Sequence, residues 1–331
     1  MKMKYNLKQL GLIAANRFYC KIFGKPELPM YPRTYGDDEV SKIVADALDS
    51  NKPFMLSRFG AVEISAVYNY IGVSSQKHSV FDYIRGKAPQ WWWNEGIRRC
   101  MKDNAGFFPN TDDNLMKFGK LMLESMQQID ILTSWQERET FFDNYLNCKR
   151  YINYIQIDPF WAKDPWTAHL EGKRVLVIHP FAQEIHSQYE NKRNVLFSNA
   201  KVLPKFDLIT YKAVQSIGGS TEFDNWFEAL EKMEQDISKI DFDVCLLGCG
   251  AYGMPLAAFI KAKLQKTAIH IGGSLQLFFG IKGNRWENPE YGIWATNDIG
   301  RYPKLFNDSW IRPYGVSQVI GSEKVDNNCY W

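Results

Sequence analysis

The stretch "DFDVCLLGCGAYGMPLAAFIKAKLQKTAIHIGG" limits what this chain can fold into more than any other. Val244 to Leu247 is a short apolar run bounded by Asp243 and Gly248, the pattern of a strand buried on both faces. From Gly253 onward Leu256, Phe259, Ile260 and Leu264 share one helical face, and Ala268 to Ile271 reads as a second strand. Strand, glycine loop, helix and strand in that order predict a parallel pair joined by a helical crossover. Gly248, Gly250 and Gly253 spell G-x-G-x-x-G, and the helix that follows offers unpaired backbone N–H groups and a partial positive charge to an anion.

The same loop is the start of a dinucleotide fingerprint, but the fingerprint needs an acidic residue about 20 positions on to hold the ribose hydroxyls. No Asp or Glu occurs from Ala251 to Lys282, and the unit lies far down the chain. A Rossmann-type cofactor-binding enzyme is therefore an alternative that lacks a residue it requires.

The remainder alternates in the same way. Helices are expected from Asp37 or Asp38 to about Leu48, Ala61 to Tyr70, Gln90 to Lys102, Asp112 to Met126 and Glu137 to Leu146. "TEFDNWFEALEKMEQDISKI" adds another, and strands are expected in "PFMLSRFG", at Ile129 to Thr133, in "GKRVLVIHPFA" and in "DLITYKA". This order implies an α/β Rossmann-like sandwich with a mostly parallel central sheet flanked by helices. Ligands in such sheets sit outside the carboxyl ends of the strands, which directs attention to "SRFGAVE", "HPFAQEI", "GCGAYG" and "HIGGSLQ".

Composition excludes little and adds a few limits. A net charge of +3 over 331 residues leaves no nucleic-acid footprint, so no nucleic-acid partner is expected. The 11 Trp, 17 Tyr and 21 Phe suit sugar-stacking surfaces as well as an aromatic core. Cys20, Cys100, Cys148, Cys245, Cys249 and Cys329 form no C-x-x-C pair, and Cys245 and Cys249 read as small buried hydrophobes. With no cleavable signal and no apolar run near membrane-spanning length, the expected location is cytoplasmic. Residues 1–36 form the charge-biased region: Lys2, Lys4, Lys8, Arg17, Lys21 and Lys25 precede any acid and interleave with Leu7, Leu10, Leu12, Ile13, Phe18, Ile22 and Phe23. Such a segment suits either peripheral contact with the inner face of an anionic membrane or ordinary packing on the body.

The sequences "FMLSRFGAVE", "GKRVLVIHPFAQEI", "DFDVCLLGCGAYGMPLAAFIK", "AIHIGGSLQLFFGIKGNRW" and the closing "CYW" together resemble the glycosyltransferases of the GT-D or GT-D-like fold, found in bacterial surface-polysaccharide and glycoprotein-glycan assembly. The likeness runs from about residue 38 and is most specific in the last third, giving one expected domain over 37–331. It implies transfer of a sugar from a nucleotide-sugar donor to a growing glycan or lipid-linked glycan. In that family the first strand ends in an R-F-G-D-G-E type sequence whose D-x-E carboxylates are associated with a divalent metal and the donor diphosphate.

Here Arg58, Phe59, Gly60 and Glu63 match, but Ala61 stands for the first acid and Val62 for the middle glycine. One carboxylate is a thin base for Mn²⁺ or Mg²⁺, which prefer several oxygen ligands. Either Glu63 holds a metal with help from the donor phosphates, or protein cations replace it. Arg58 can fork onto phosphate oxygens, Lys282 and Arg285 can close over them, and the backbone of Gly248, Gly250, Ala251, Tyr252 and Gly253 can cradle one. His270, Gly272 and Gly273 form a second loop of the same type, a candidate nucleotide or sugar contact. Glu63, Glu184 and His179 are the candidate catalytic groups, with Glu184 or His179 as base for the acceptor hydroxyl. Each has a plain structural alternative: helix-start acids for Glu63 and Glu184, a satisfied core histidine for His179. A catalytically inactive accessory protein of a glycan-assembly complex is the second functional alternative, since it accounts for the altered D-x-E and the basic N-terminus together.

Overall fold

The computed structural model describes residues 5–216, 222–313 and 330–331. In chain order the first half contains α1 (Leu7–Phe23), α2 (Asp37–Asp49), β1 (Met55–Ser57), α3 (Ala61–Ser74), α4 (Val80–Ile84), α5 (Glu95–Asp103), α6 (Asp112–Met126), β2 (Ile131–Ser134) and β3 (Arg150–Asn153). The second half contains β4 (Arg174–His179), α7 (Ala182–Leu196), β5 (Asp207–Lys212), α8 (Trp226–Ile237), β6 (Val244–Leu247), α9 (Gly253–Leu264), β7 (Thr267–His270), α10 (Asn284–Glu287) and α11 (Ile293–Thr296). The strands form one sheet in the order β3-β2-β1-β7-β6-β4-β5, and every adjacent pair is parallel.

The central strands are buried on both faces, as their runs of Val, Leu and Ile require. One core packs α3, α6, α8 and α9 on the first face, with Ile64, Phe118, Trp226 and Leu256 fully buried in it. The other packs α2, α7 and the 3₁₀ segment Gly273–Phe279 on the second face, around Val44, Ile185, Leu277 and Phe279. Aliphatic and aromatic burial on both sides fixes the sheet as the middle layer of three.

Two expected elements are corrected, and one strand was not expected. The helix anticipated from Gln90 begins at Glu95, because Asn94 caps it by accepting from the N–H groups of Gly96 and Ile97. Trp91, Trp92 and Trp93 therefore lie in the loop before it, where Trp91 and Trp92 pack edge-on against each other and Tyr83. Glu137–Tyr145 is 3₁₀ rather than α, in keeping with a run of Thr, Phe, Asp and Asn that gives weak support to an α-helix. Strand β3, which no apolar run announces, pairs with β2 at one edge of the sheet.

Candidate functional site

Because all seven strands run the same way, their carboxyl ends share one edge, and every exit loop contributes to a single cavity of about 700 Å³ there. That volume falls within the roughly 300–1,000 Å³ typical of small-molecule sites. The chain leaves β1 and β6 toward the α3/α9 face but leaves β7 and β4 toward the α7 face. Neighbouring strands thus send their connections to opposite sides, which opens the crevice that open α/β sheets use for ligands.

Arg58, directly after β1, supplies the main positive charge. Its guanidinium lies over the Tyr154 ring at 4.3 Å and the Trp135 ring at 5.7 Å, and Nη1 donates to Tyr154 Oη at 3.1 Å. Nε is buried with no acceptor, and among the described residues Arg58 has no carboxylate within ion-pair distance. A cation held against two rings with most donors unfilled is costly unless an anion completes it. Asp158, whose field also reaches Arg58, is already committed: Ser274 Oγ and Tyr302 Oη donate to it at 2.8 and 2.7 Å. Arg285 brings a second guanidinium to the cavity, 4.7 Å over the Tyr330 ring and donating to Tyr330 Oη at 3.2 Å.

The glycines are explained by what stands beside them. A Cβ at Gly272, where φ is +83°, would meet Arg58 Nη1 at 2.7 Å, and one at Gly273 would meet the Tyr330 ring at 2.1 Å. The pair makes room for the Arg58 and Tyr330 side chains at this side of the cavity. In the first glycine loop, a Cβ at Gly248 would strike His179 Cδ2 at 2.7 Å and one at Gly253 would strike His270 Nε2 at 2.3 Å. Two of the three glycines of the G-x-G-x-x-G pattern therefore accommodate the protein's own imidazoles. Gly250 is left-handed at φ +58° and faces open space.

Both histidines end strands and both are neutral: burial pushes each down to about 3, with Arg58 adding to the effect at His270. His179 Nδ1 accepts from the Phe181 backbone N–H at 3.0 Å. A backbone amide only donates, so the ring proton sits on Nε2 and His179 presents a hydrogen-bond donor to the cavity. That tautomer corrects the expectation of a base here, since the free nitrogen already carries its proton. His270 Nδ1 pairs with Ser57 Oγ at 3.0 Å.

Glu63, in the first turn of α3, is the one side-chain carboxylate lining the cavity among the described residues. Its carboxyl group folds back over Gly60, where a Cβ would lie 2.0 Å from Oε2. Burial raises its pKa, while its own backbone N–H and the charge of Arg58 oppose the rise. No group of three or more His, Cys, Asp or Glu side chains that could hold a metal ion exists among the described residues. One carboxylate and two buried neutral imidazoles do not fit a protein-held Mn²⁺ or Mg²⁺. Burial also raises the Cys249 thiol, so no thiolate nucleophile is available from it.

Gly60, Gly248, Gly250, Ala251, Tyr252, His270, Gly272 and Gly273 line the cavity with Arg58, Glu63, His179 and Arg285. Three expected residues do not. Glu184 is 2% exposed within the packing of α7, with Oε2 unpartnered, so it is not placed to reach an acceptor. Lys282 pairs with Glu287 at 3.4 Å and lies over the Phe306 ring. Gly253 is turned toward His270. Tyr252 contributes an edge only, since its ring stacks on Trp226 at 4.6 Å and its hydroxyl meets Ser216 Oγ at 3.2 Å. Trp286 is core, at 1% exposure.

The sequence reading missed Trp135, Tyr154, Tyr291 and Trp294, which also line the cavity. Trp135 meets Tyr154 at 5.5 Å, Tyr154 lies parallel to Trp294 at 6.4 Å, and the Tyr154 and Tyr291 hydroxyls are 3.4 Å apart. Trp294 is 54% exposed, an open ring face at the rim. The available signal was positional: Trp135 and Tyr154 are the first residues after β2 and β3.

Residues 144–278 match the family model GT-D-like, described as a GT-D fold-like domain. The match takes in β3 through β7 and the glycine loops, and leaves β1 with Arg58 and Glu63 outside it. No curated protein and no solved structure gives a match to the chain.

Proposed function

We propose that this chain, which carries a GT-D-like domain, is a glycosyltransferase that takes a sugar from a nucleotide-sugar donor to an acceptor hydroxyl of a glycan or lipid-linked glycan. The observation that carries the proposal is Arg58: a cation on two aromatic rings, with no carboxylate at ion-pair distance among the described residues, in a cavity formed by seven strand ends. Glycosyl transfer needs stabilisation of the negative charge that appears on the departing phosphate. Arg58 and Arg285 supply fixed positive charge, the Nε2–H of His179 supplies a neutral donor, and the start of α9 supplies a positive dipole end. The open face of Trp294 suits stacking on a base or sugar ring.

Glu63 takes the remaining task. As the cavity's carboxylate it accepts the proton of the attacking hydroxyl, and its raised pKa makes it a stronger base than an exposed glutamate. In this reading the protein's arginines do the electrostatic work that a D-x-E-bound metal does in the family it resembles. The cofactor-enzyme alternative is disfavoured because no Asp or Glu occurs from Ala251 to Lys282 to hold the ribose hydroxyls.

A thermal-shift panel of nucleoside mono- and diphosphates, NAD and S-adenosylmethionine, each with Mn²⁺ and with EDTA, tests this. A ligand at about 100 times its Kd stabilises by about 2.7 kcal/mol, which moves the midpoint of a domain this size by several degrees. The expected result is a shift with one nucleotide class that survives EDTA. A shift confined to NAD or S-adenosylmethionine would refute the reading, and silence throughout would favour the inactive accessory protein.

A further inference from the structure

Helix α1 has no buried residue, although it is 17 residues long and capped by Asn6 and Gln9 at its N-terminus. It meets the rest of the protein along one side only. Asn16 Nδ2 donates to the carbonyls of Tyr83 and Ile84 at 2.8 and 3.3 Å, which fixes that side against α4. Residues 7, 10, 14, 18 and 22 fall on the opposite side by helical spacing. These are Leu7, Leu10, Ala14, Phe18 and Ile22, and all are exposed, Leu7 to 78%, Phe18 to 67% and Ile22 to 55%. Phe81, on the helix that α1 packs against, is exposed to 74%. An apolar stripe of this size on a polar-flanked helix calls for a covering partner.

Charge selects the partner. Lys8, Arg17, Lys21 and Lys25 are all exposed, and no Asp or Glu precedes Glu27 in the sequence. By the same helical spacing Arg17 flanks the stripe on one side and Lys8 on the other, and Lys21 lies within it. A large aliphatic and aromatic face rimmed by cations of one sign fits a helix lying in the headgroup layer of an anionic bilayer, apolar side down. A second copy of the same face would bring like charges together and is opposed by repulsion. No described helix is long and apolar enough to cross a membrane, so the contact is one of lying on the surface. We infer that α1, with Phe81 beside it, docks this protein onto an anionic lipid surface. The inference is independent of what the cavity binds.

Flotation of the full chain with lipid vesicles tests it, using phosphatidylcholine alone and phosphatidylcholine mixed with phosphatidylglycerol. The expected result is binding to the anionic vesicles that weakens as salt is raised. A Phe18→Asp, Ile22→Asp double variant should lose binding by about tenfold or more. Its melting temperature should match the parent protein, because neither residue is buried. Absence of binding to anionic vesicles, or equal binding to both vesicle types at all salt concentrations, would overturn the inference. So would a self-associated species in solution that the double variant disperses, since the stripe would then be an interface between copies.

Discussion

Arg58 and Gly272 are one unit at the residue scale. Gly272→Ala places a methyl group 2.7 Å from the guanidinium at a backbone φ of +83°, so both the strain and the displacement fall on the anion pocket. The expected cost is about 1–3 kcal/mol of stability, together with weaker nucleotide binding. Gly250→Ala meets the same kind of backbone strain at φ +58°, but its Cβ points into open space. It should lower stability by about 1 kcal/mol without displacing Arg58. Calorimetric titration of a nucleotide into the two variants separates the cases: equal loss of nucleotide affinity would mean that the Arg58 contact is not what Gly272 preserves.

Strict periodicity made some elements readable and its absence hid others. The unit β6-α9-β7 follows its pattern without a break, and the sheet and its site edge followed from it. Helix α6 likewise matches its expected bounds at Asp112 and Met126, since Thr111 caps it and acids fill its first turn. Strand β3 is half exposed at its start, so "RYIN" carries no apolar run. The aromatic wall was hidden for a related reason. Trp135, Tyr154, Tyr291 and Trp294 are isolated in sequence and meet only because β2, β3 and the segment after β7 end at one place. Of the expected catalytic groups, Glu63 lines the cavity, Glu184 is held away from it, and a single backbone hydrogen bond fixes His179 as a donor. No one-dimensional pattern encodes that bond.

The C-terminal pair makes an element-scale prediction. Trp331 is 6% exposed, packs against Phe181, and its carbonyl accepts from Asn284 N and Arg312 Nη1 at 3.2 and 2.9 Å. Gln276 Nε2 donates to the Tyr330 carbonyl at 3.1 Å. These contacts tie the aromatic tail to the body at these two residues, while Cys329 lies outside the described residues. Trp331→Ala should cost about 3–5 kcal/mol, as for other buried tryptophans. Calorimetry giving an unchanged melting temperature would show that the tail adds nothing to the fold.

The two buried neutral histidines link the whole molecule to pH. Each has a folded pKa near 3 against 6.5 in the open chain, so below pH 6.5 the unfolded state binds more protons and stability falls as pH falls. Buried acids act the other way. Asp158, raised to about 6 by burial against its hydroxyl partners, takes a proton in the folded state first. The histidine contribution is therefore isolated by comparison with a variant and not by the parent curve alone. Relative to His179→Gln, the parent protein should lose about 1.4 kcal/mol per pH unit from about pH 6.5 downward. Parallel denaturation curves for the two proteins at pH 7 and pH 5 would contradict the neutral assignment of His179.

The central claim is that two arginines on aromatic rings, rather than a protein-held metal, receive the phosphates of a nucleotide. Calorimetric titration of a nucleoside diphosphate into the parent protein and into Arg58→Ala, both in EDTA, tests it most directly. The account predicts binding to the parent without added metal and affinity at least about tenfold weaker in the variant, as expected when a charged hydrogen-bonding partner is removed. Equal affinity for the two proteins, or binding that appears only when Mn²⁺ or Mg²⁺ is supplied, would contradict it.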